Sequence, residues 1–170
     1  MIKLKKLIIA LFLVTVLILV NKKETKVLIP EDAIRFRIIA NSNKIEDQTQ
    51  KLEIKKELEP VITNILSTSN SFDETRKEIK NNIYEVKNIL NKYDTQYKIN
   101  YGLNYFPEKN YKGVTYKAGE YESLVVTLGD GLGDNWWCVL FPPLCLLEAT
   151  EDNYDDITYT SYIKELLNKY

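Results

Sequence analysis

The chain has 170 residues, 45% of them hydrophobic and 28% charged, and a formal net charge of −1. That length suits one domain of about 100–200 residues, the apolar share argues against disorder, and the near-neutral balance offers no clustered basic surface for nucleic acid. There is no histidine and there are only two cysteines, which removes Ser-His and Cys-His nucleophilic pairs, histidine-containing zinc sites and four-thiolate zinc sites.

In chain order, Lys3, Lys5 and Lys6 precede an apolar run from Leu7 to Val20 that only Thr15 interrupts. A basic stretch followed by such a run describes an export signal. As a helix it reaches about 21 Å, short of a hydrocarbon core of about 30 Å, which favours a cleaved signal over a stable anchor. Leu19-Val20-Asn21-Lys22 holds no Ala-x-Ala cleavage site. An uncleaved tether through residues 7–20, oriented by the basic N-terminus, therefore stays open. The expected organisation is an export signal or short membrane anchor at 1–20, a lysine-rich stalk at 21–31 and a single domain at 32–170.

The domain opens on a strand, in which Ile34, Phe36, Ile38 and Ala40 alternate with Arg35, Arg37 and Ile39. Asn43 with Glu46 predicts a capping box, and Ile54, Leu58, Val61, Ile62 and Ile65 make one helical stripe. Pro60 lies inside that stripe and predicts a kink or break just before it. Ser71 and Glu74 predict the cap of a second helix, whose stripe is Phe72, Ile79, Ile83, Val86, Leu90 and Tyr93.

After Asp94 the period becomes two: Tyr97, Ile99, Tyr101, Leu103 and Tyr105 mark a half-buried strand that Pro107 ends. Residues 108–119 are expected as a loop and Glu122–Leu128 as a strand. The glycine-rich turn 129–135 and a return strand from Trp136 to Phe141 then suggest a hairpin. An acidic connector leads to a last helix with Tyr159, Ile163, Leu166, Leu167 and Tyr170 on its apolar side. Strand, two helices, three strands and helix together predict an α+β domain. Its two layers are a mixed, mostly antiparallel sheet and helices on one face.

Few residues suggest chemistry. Asp130 and Asp134 supply too few oxygens locally for calcium, which takes about 6–8, and the glycines around them do not open a helix as a phosphate loop does. Glu120 and Glu122 share a strand face and are a paired-acid candidate, against the plainer reading of solvated charge near a strand edge. No cofactor and no metal is expected.

Trp136 and Trp137 are neighbours in a strand and so face opposite ways. One of them joins a core, and the other is either an interface anchor or part of a strand buried on both faces. Arg35 and Arg37, two of only three arginines, share a face. They are either solvated or a carboxylate-binding pair for a partner. The candidate partner contacts are Arg35, Arg37, Trp136, Trp137 and Phe141. Cys138 and Cys145 flank Pro142-Pro143, whose fixed φ angles favour a chain reversal. In an exported protein the pair reads most simply as one disulfide, with two buried thiols as the alternative.

Several blocks resemble a known family. They are Ile34-Arg35-Phe36-Arg37-Ile38-Ile39-Ala40-Asn41-Ser42-Asn43 with Glu46-Asp47-Gln48, Tyr101-Gly102 with Phe106-Pro107, and Gly113 with Tyr116, Gly119, Glu120 and Tyr121. The longest runs from Gly131 through Asp134-Asn135-Trp136-Trp137-Cys138 to Pro142-Pro143-Leu144-Cys145. Together they resemble stage II sporulation protein R over residues 32 to 148, whereas residues 149 to 170 match no pattern of that family. The resemblance implies synthesis in the forespore and export into the intermembrane space. There the protein would act as a non-enzymatic signal on a membrane-embedded aspartic protease that processes pro-sigma-E. It implies no catalytic residues. An exported cell-wall hydrolase using paired carboxylates is the alternative, since glycoside hydrolysis needs only two acids.

If the N-terminal run directs export, a reporter enzyme active only outside the cytoplasm should be active when fused behind Pro30; an inactive fusion would exclude both functions.

Overall fold

The computed structural model describes residues 32–111 and 114–145, together with Val27, Leu28 and Glu165. Strand β2 (Ile34–Ile39) has a neighbour on each side. Strand β6 (Gly119–Leu128) runs parallel to it and β7 (Asn135–Phe141) antiparallel, while β3 (Tyr97–Phe106) lies antiparallel outside β6. The order β3-β6-β2-β7 is a mixed sheet in which two of the three pairings are antiparallel.

Helices α1 (Ile45–Ser67) and α2 (Phe72–Leu90) cover one face. Ile34, Phe36 and Ile38 of β2 share a buried core with Leu124, Val126, Cys138 and Leu140 of the flanking strands and with Ile54, Leu58, Ile65, Ile79 and Leu90 of the helices. The domain is therefore α+β, with the helices on the face the alternation of β2 called for.

The two helices begin differently. At α2 the Ser71 hydroxyl accepts from the Glu74 amide at 3.3 Å, the cap bond that the sequence predicted, while the Glu74 carboxylate reaches one residue further back and accepts from the Asn70 amide at 2.7 Å. The cap of α1 is Lys44, which makes no side-chain cap bond. The predicted box fails because the Asn43 side-chain oxygen Oδ1 accepts from the Asp134 amide at 2.6 Å.

Nor does Pro60 break the helix: α1 continues through it to Ser67. An internal proline costs about 3 kcal/mol or more. Leu58, Val61, Ile62 and Ile65 around it are all buried, each contributing about 1.5–3 kcal/mol, so packing outweighs the lost bond.

Residues expected as a loop contain two strands instead, β4 (Lys109–Tyr111) and β5 (Val114–Tyr116), paired antiparallel. Part of the expected stalk, β1 (Val27–Leu28), adds to β5 in parallel and completes a separate three-stranded sheet. The predicted last helix falls almost wholly outside the described residues.

The expected hairpin of β6 and β7 is also corrected. The two strands do not pair with each other; they flank β2, and the link between them passes over its end. The Leu132 amide donates to the Asn41 carbonyl at 3.0 Å and the Gly133 amide to the Ala40 carbonyl at 2.9 Å. Alternation shows that a segment is a strand but does not choose its partner, and strands two places apart are only about 10 Å distant.

The glycines make this crossing fit. Gly129 has φ 53° and lies against the Asn41 side chain. A methyl group at Gly133 would overlap the Ser42 carbonyl oxygen. Gly102, by contrast, has nothing within 4 Å of its missing Cβ. Gly133→Ala should therefore cost about 1–3 kcal/mol of stability by overpacking. Gly102→Ala should change it little, the two being compared by their urea unfolding midpoints.

Candidate functional site

The face of the sheet opposite the helices carries an aromatic box around Arg35. Within β2, Arg35 lies between Ser123 of β6 and Val139 of β7. Tyr121 and Trp137, two residues along those strands, stand beside it on the same face. Phe106 at the end of β3 and Tyr116 at the end of β5 close the box. The Arg35 guanidinium carbon is 3.3 Å from the centre of the Tyr121 ring and 5.0 Å from those of Phe106 and Trp137. The rings meet edge to face, Tyr116 on Trp137 at 4.8 Å and Phe106 on Trp137 at 5.6 Å.

Arg35 is fully buried, and among the described residues none of its three guanidinium nitrogens has a hydrogen-bond partner. Burial lowers its pKa to about 10, so it stays protonated at neutral pH. Stacking on aromatic faces stabilises a desolvated cation by about 2 kcal/mol or more. Ring faces accept no N–H bond along the plane of the guanidinium, and each unsatisfied buried donor costs about 1–3 kcal/mol.

Arg37 sits beside it, its guanidinium carbon 4.5 Å from the Phe106 centre. One Arg37 nitrogen donates to the Tyr105 carbonyl at 3.3 Å, while Nε is buried without a partner among the described residues. Burial lowers the pKa of Arg37 as well. The solvated reading of the pair therefore fails at Arg35, because the aromatic box and the β4–β5 arm cover the face that alternation left open.

The remaining candidates lie on the helix face. Trp136 is half-buried, 5.9 Å from Phe36 edge to face, with the Lys55 ammonium 5.0 Å over its ring. These residues, with Glu59, Ile62, Thr63 and Cys145, line a notch of about 20 Å³, room for a single water. Phe141 is buried against Phe72 at 4.6 Å and anchors β7 to α2. The structure thus brings Arg35, Arg37 and Trp137 together and puts Trp136 and Phe141 on the other side of the sheet. Cys138 and Cys145 are joined in a disulfide with their α-carbons 5.2 Å apart. The Leu144 amide donates to the Val139 carbonyl at 3.1 Å across the Pro142-Pro143 bend.

A third cluster went unforeseen. Where the 129–134 link crosses β2, the Asn41 side chain accepts from the Asp130 amide at 2.9 Å and donates to the Asp47 carboxylate at 3.0 Å. The Ser42 hydroxyl donates to the same carboxylate at 2.5 Å. The Gln48 side-chain Nε2 donates to the Ser42 carbonyl at 2.9 Å, and the buried Lys51 ammonium to the Asp134 carbonyl at 3.1 Å. The Ser42 hydroxyl, more than any other group, holds the Asp47 carboxyl below the usual carboxylate range, and burial lowers the Lys51 pKa. The available signal was that the two blocks of resemblance, some ninety residues apart, both concentrate short polar side chains, Asn41, Ser42, Asn43 and Asp47 in one and Asp134 and Asn135 in the other.

The paired-acid candidate comes apart. Glu120 is exposed, while Glu122 accepts from Arg76 Nε at 2.9 Å and from the Tyr101 hydroxyl at 2.6 Å. Burial, reinforced by that bond to Glu122, pushes the Tyr101 hydroxyl well above its usual range. Among the described residues no three acids, cysteines or histidines gather as metal ligands.

This fold and these clusters define a two-layer α+β domain whose distinctive polar groups either tie the chain to itself or, at Arg35, hold a buried charge. Residues 30–151 match stage II sporulation protein R, and the chain belongs to that family. It is 41% identical over 128 residues to Stage II sporulation protein R of Bacillus subtilis (strain 168), covering 72% of this chain and 57% of the relative. The chain thus spans little more than half the length of that relative. No solved structure matches. Membership supports a role in sporulation.

Because the Asp47 pKa is lowered in the folded state, its contribution to stability is present above the unfolded value and lost as pH falls through the folded one. The unfolding midpoint should therefore drop below about pH 4. Asp47→Asn should lower the midpoint at pH 7 and weaken its dependence on acid, as read by urea unfolding at pH 7 and pH 3.

Proposed function

We propose that the protein is an exported signal of sporulation that activates a membrane-embedded aspartic protease to process pro-sigma-E, and that it acts by binding and not by turnover. The observation that carries this reading is the Cys138–Cys145 disulfide, placed at the end of the most specific block of resemblance. Disulfides persist in oxidising compartments and are rare in the cytosol, so the bond favours work outside it. Action by binding draws support from Glu122, whose carboxylate is held by Arg76 and Tyr101 and is ill placed to exchange protons with a substrate.

The test is to express the full chain, the protease and pro-sigma-E together in cells that do not sporulate, and to follow removal of the pro-sequence by immunoblot. Processing should require both the chain and its N-terminal export run. Glu120→Gln, Asp130→Asn and Asp134→Asn, all at exposed positions, should each leave processing nearly unchanged. A loss of about 100-fold from one such swap in a folded protein, the least that one acid–base group supplies, would argue for chemistry instead.

A further inference from the structure

We propose that the box around Arg35 is a binding site for a carboxylate, supplied by an acidic side chain of a partner protein. The chain contains three arginines, and their treatment differs. Arg76, on the helix face, holds Glu122 at 2.9 Å and Asp73 at 2.8 Å. Arg35 is the most deeply buried of the three and has no ion pair and no hydrogen bond among the described residues. Arg37, its neighbour on the same face, leaves one buried nitrogen unpartnered as well.

Buried guanidinium groups ordinarily find an acceptor, because leaving them without one costs more than ring stacking returns. At 3.3 Å from the Tyr121 centre the guanidinium can only lie flat on the ring, since any edge-on approach would overlap it. Its N–H bonds then point along the plane between the rings. A planar carboxylate takes two parallel N–H bonds from such an edge, a fork-to-fork match that a guanidinium makes and an ammonium does not.

Entry requires Tyr116 to move. It lies at the end of the β4–β5 arm, which belongs to a separate sheet and joins β3 and β6 through residues 107–108 and 117–118. The proposal shares with the proposed function only the idea of a protein partner. Binding of a small carboxylate to the isolated protein tests it apart from any protease.

The chain has two tryptophans, so Trp136→Phe in the full chain leaves Trp137 as the sole reporter, 5.0 Å from the Arg35 guanidinium. That protein is titrated at constant ionic strength with acetylated Gly-Glu-Gly amide, sodium acetate, sodium phosphate and sodium chloride. The peptide and acetate should each give a saturable change in Trp137 emission and raise the melting temperature. The peptide should half-saturate at a concentration about tenfold lower, having backbone contacts to add. Arg35→Lys should weaken both by about tenfold or more, because an ammonium lacks the fork; Arg37→Gln, at a less buried position, should weaken them and serves if the lysine variant does not fold.

An equal response to chloride would overturn the site, as would unchanged affinity in both arginine variants or no response at all. Phosphate displacing acetate would overturn the carboxylate assignment. Equal affinity for acetate and peptide would overturn its origin in a protein side chain.

Discussion

A strand that has neighbours on both edges and layers on both faces leaves little wet surface on which to place a charge, and β2 carries two, Arg35 buried and Arg37 partly exposed. Its helix-facing residues Ile34, Phe36 and Ile38 make the centre of the core. The opposite face must then accommodate Arg35 and Arg37, and it does so with aromatic rings from four strands, β3, β5, β6 and β7. The arrangement of those strands depends on this need. Tyr121 and Trp137 are brought beside Arg35 only because β6 and β7 lie on either side of β2 and not next to each other. A β6–β7 hairpin would put both rings on one side of β2 and open the other flank of the cation to water.

The same topology explains the junction at the end of β2. With β6 and β7 on opposite flanks, residues 129–134 have to pass over the strand end, close enough that a side chain at Gly129 or Gly133 would collide with Asn41 or Ser42. The crossing leaves backbone amides at Asp130 and Asp134 facing inward, and Asn41 and Asn43 accept from them. The first turn of α1 is drawn in through Asp47 and Gln48, and its second through Lys51. Strand, helix start and crossing link are one hydrogen-bonded unit, so a change in any of the three is felt by the others.

The disulfide fastens the far end of β7. By closing the Pro142-Pro143 bend it holds the strand that presents Trp137 to the Arg35 box on one face and Trp136 to the helices on the other. For the binding role proposed above, this rigidity would reduce the entropy lost on meeting a partner. Family membership gives the role in sporulation, and the Arg35 box is where this chain departs from an ordinary two-layer domain.

Much was legible from the sequence because it depends on local physics. Helical periodicity identified both helices, the Ser71–Glu74 pair set the start of the second, and two-residue alternation identified the long strands. The disulfide followed from two cysteines around a double proline. What pairs with what was decided only in three dimensions. Asn43 was free to cap α1 until the Asp134 amide claimed it, and Pro60 would break a helix that lacked four buried neighbours. Arg35 looked solvated because alternation describes a strand from within. Whether the second face of a strand meets water or other chain depends on residues more than seventy positions away, and no local pattern carries that information.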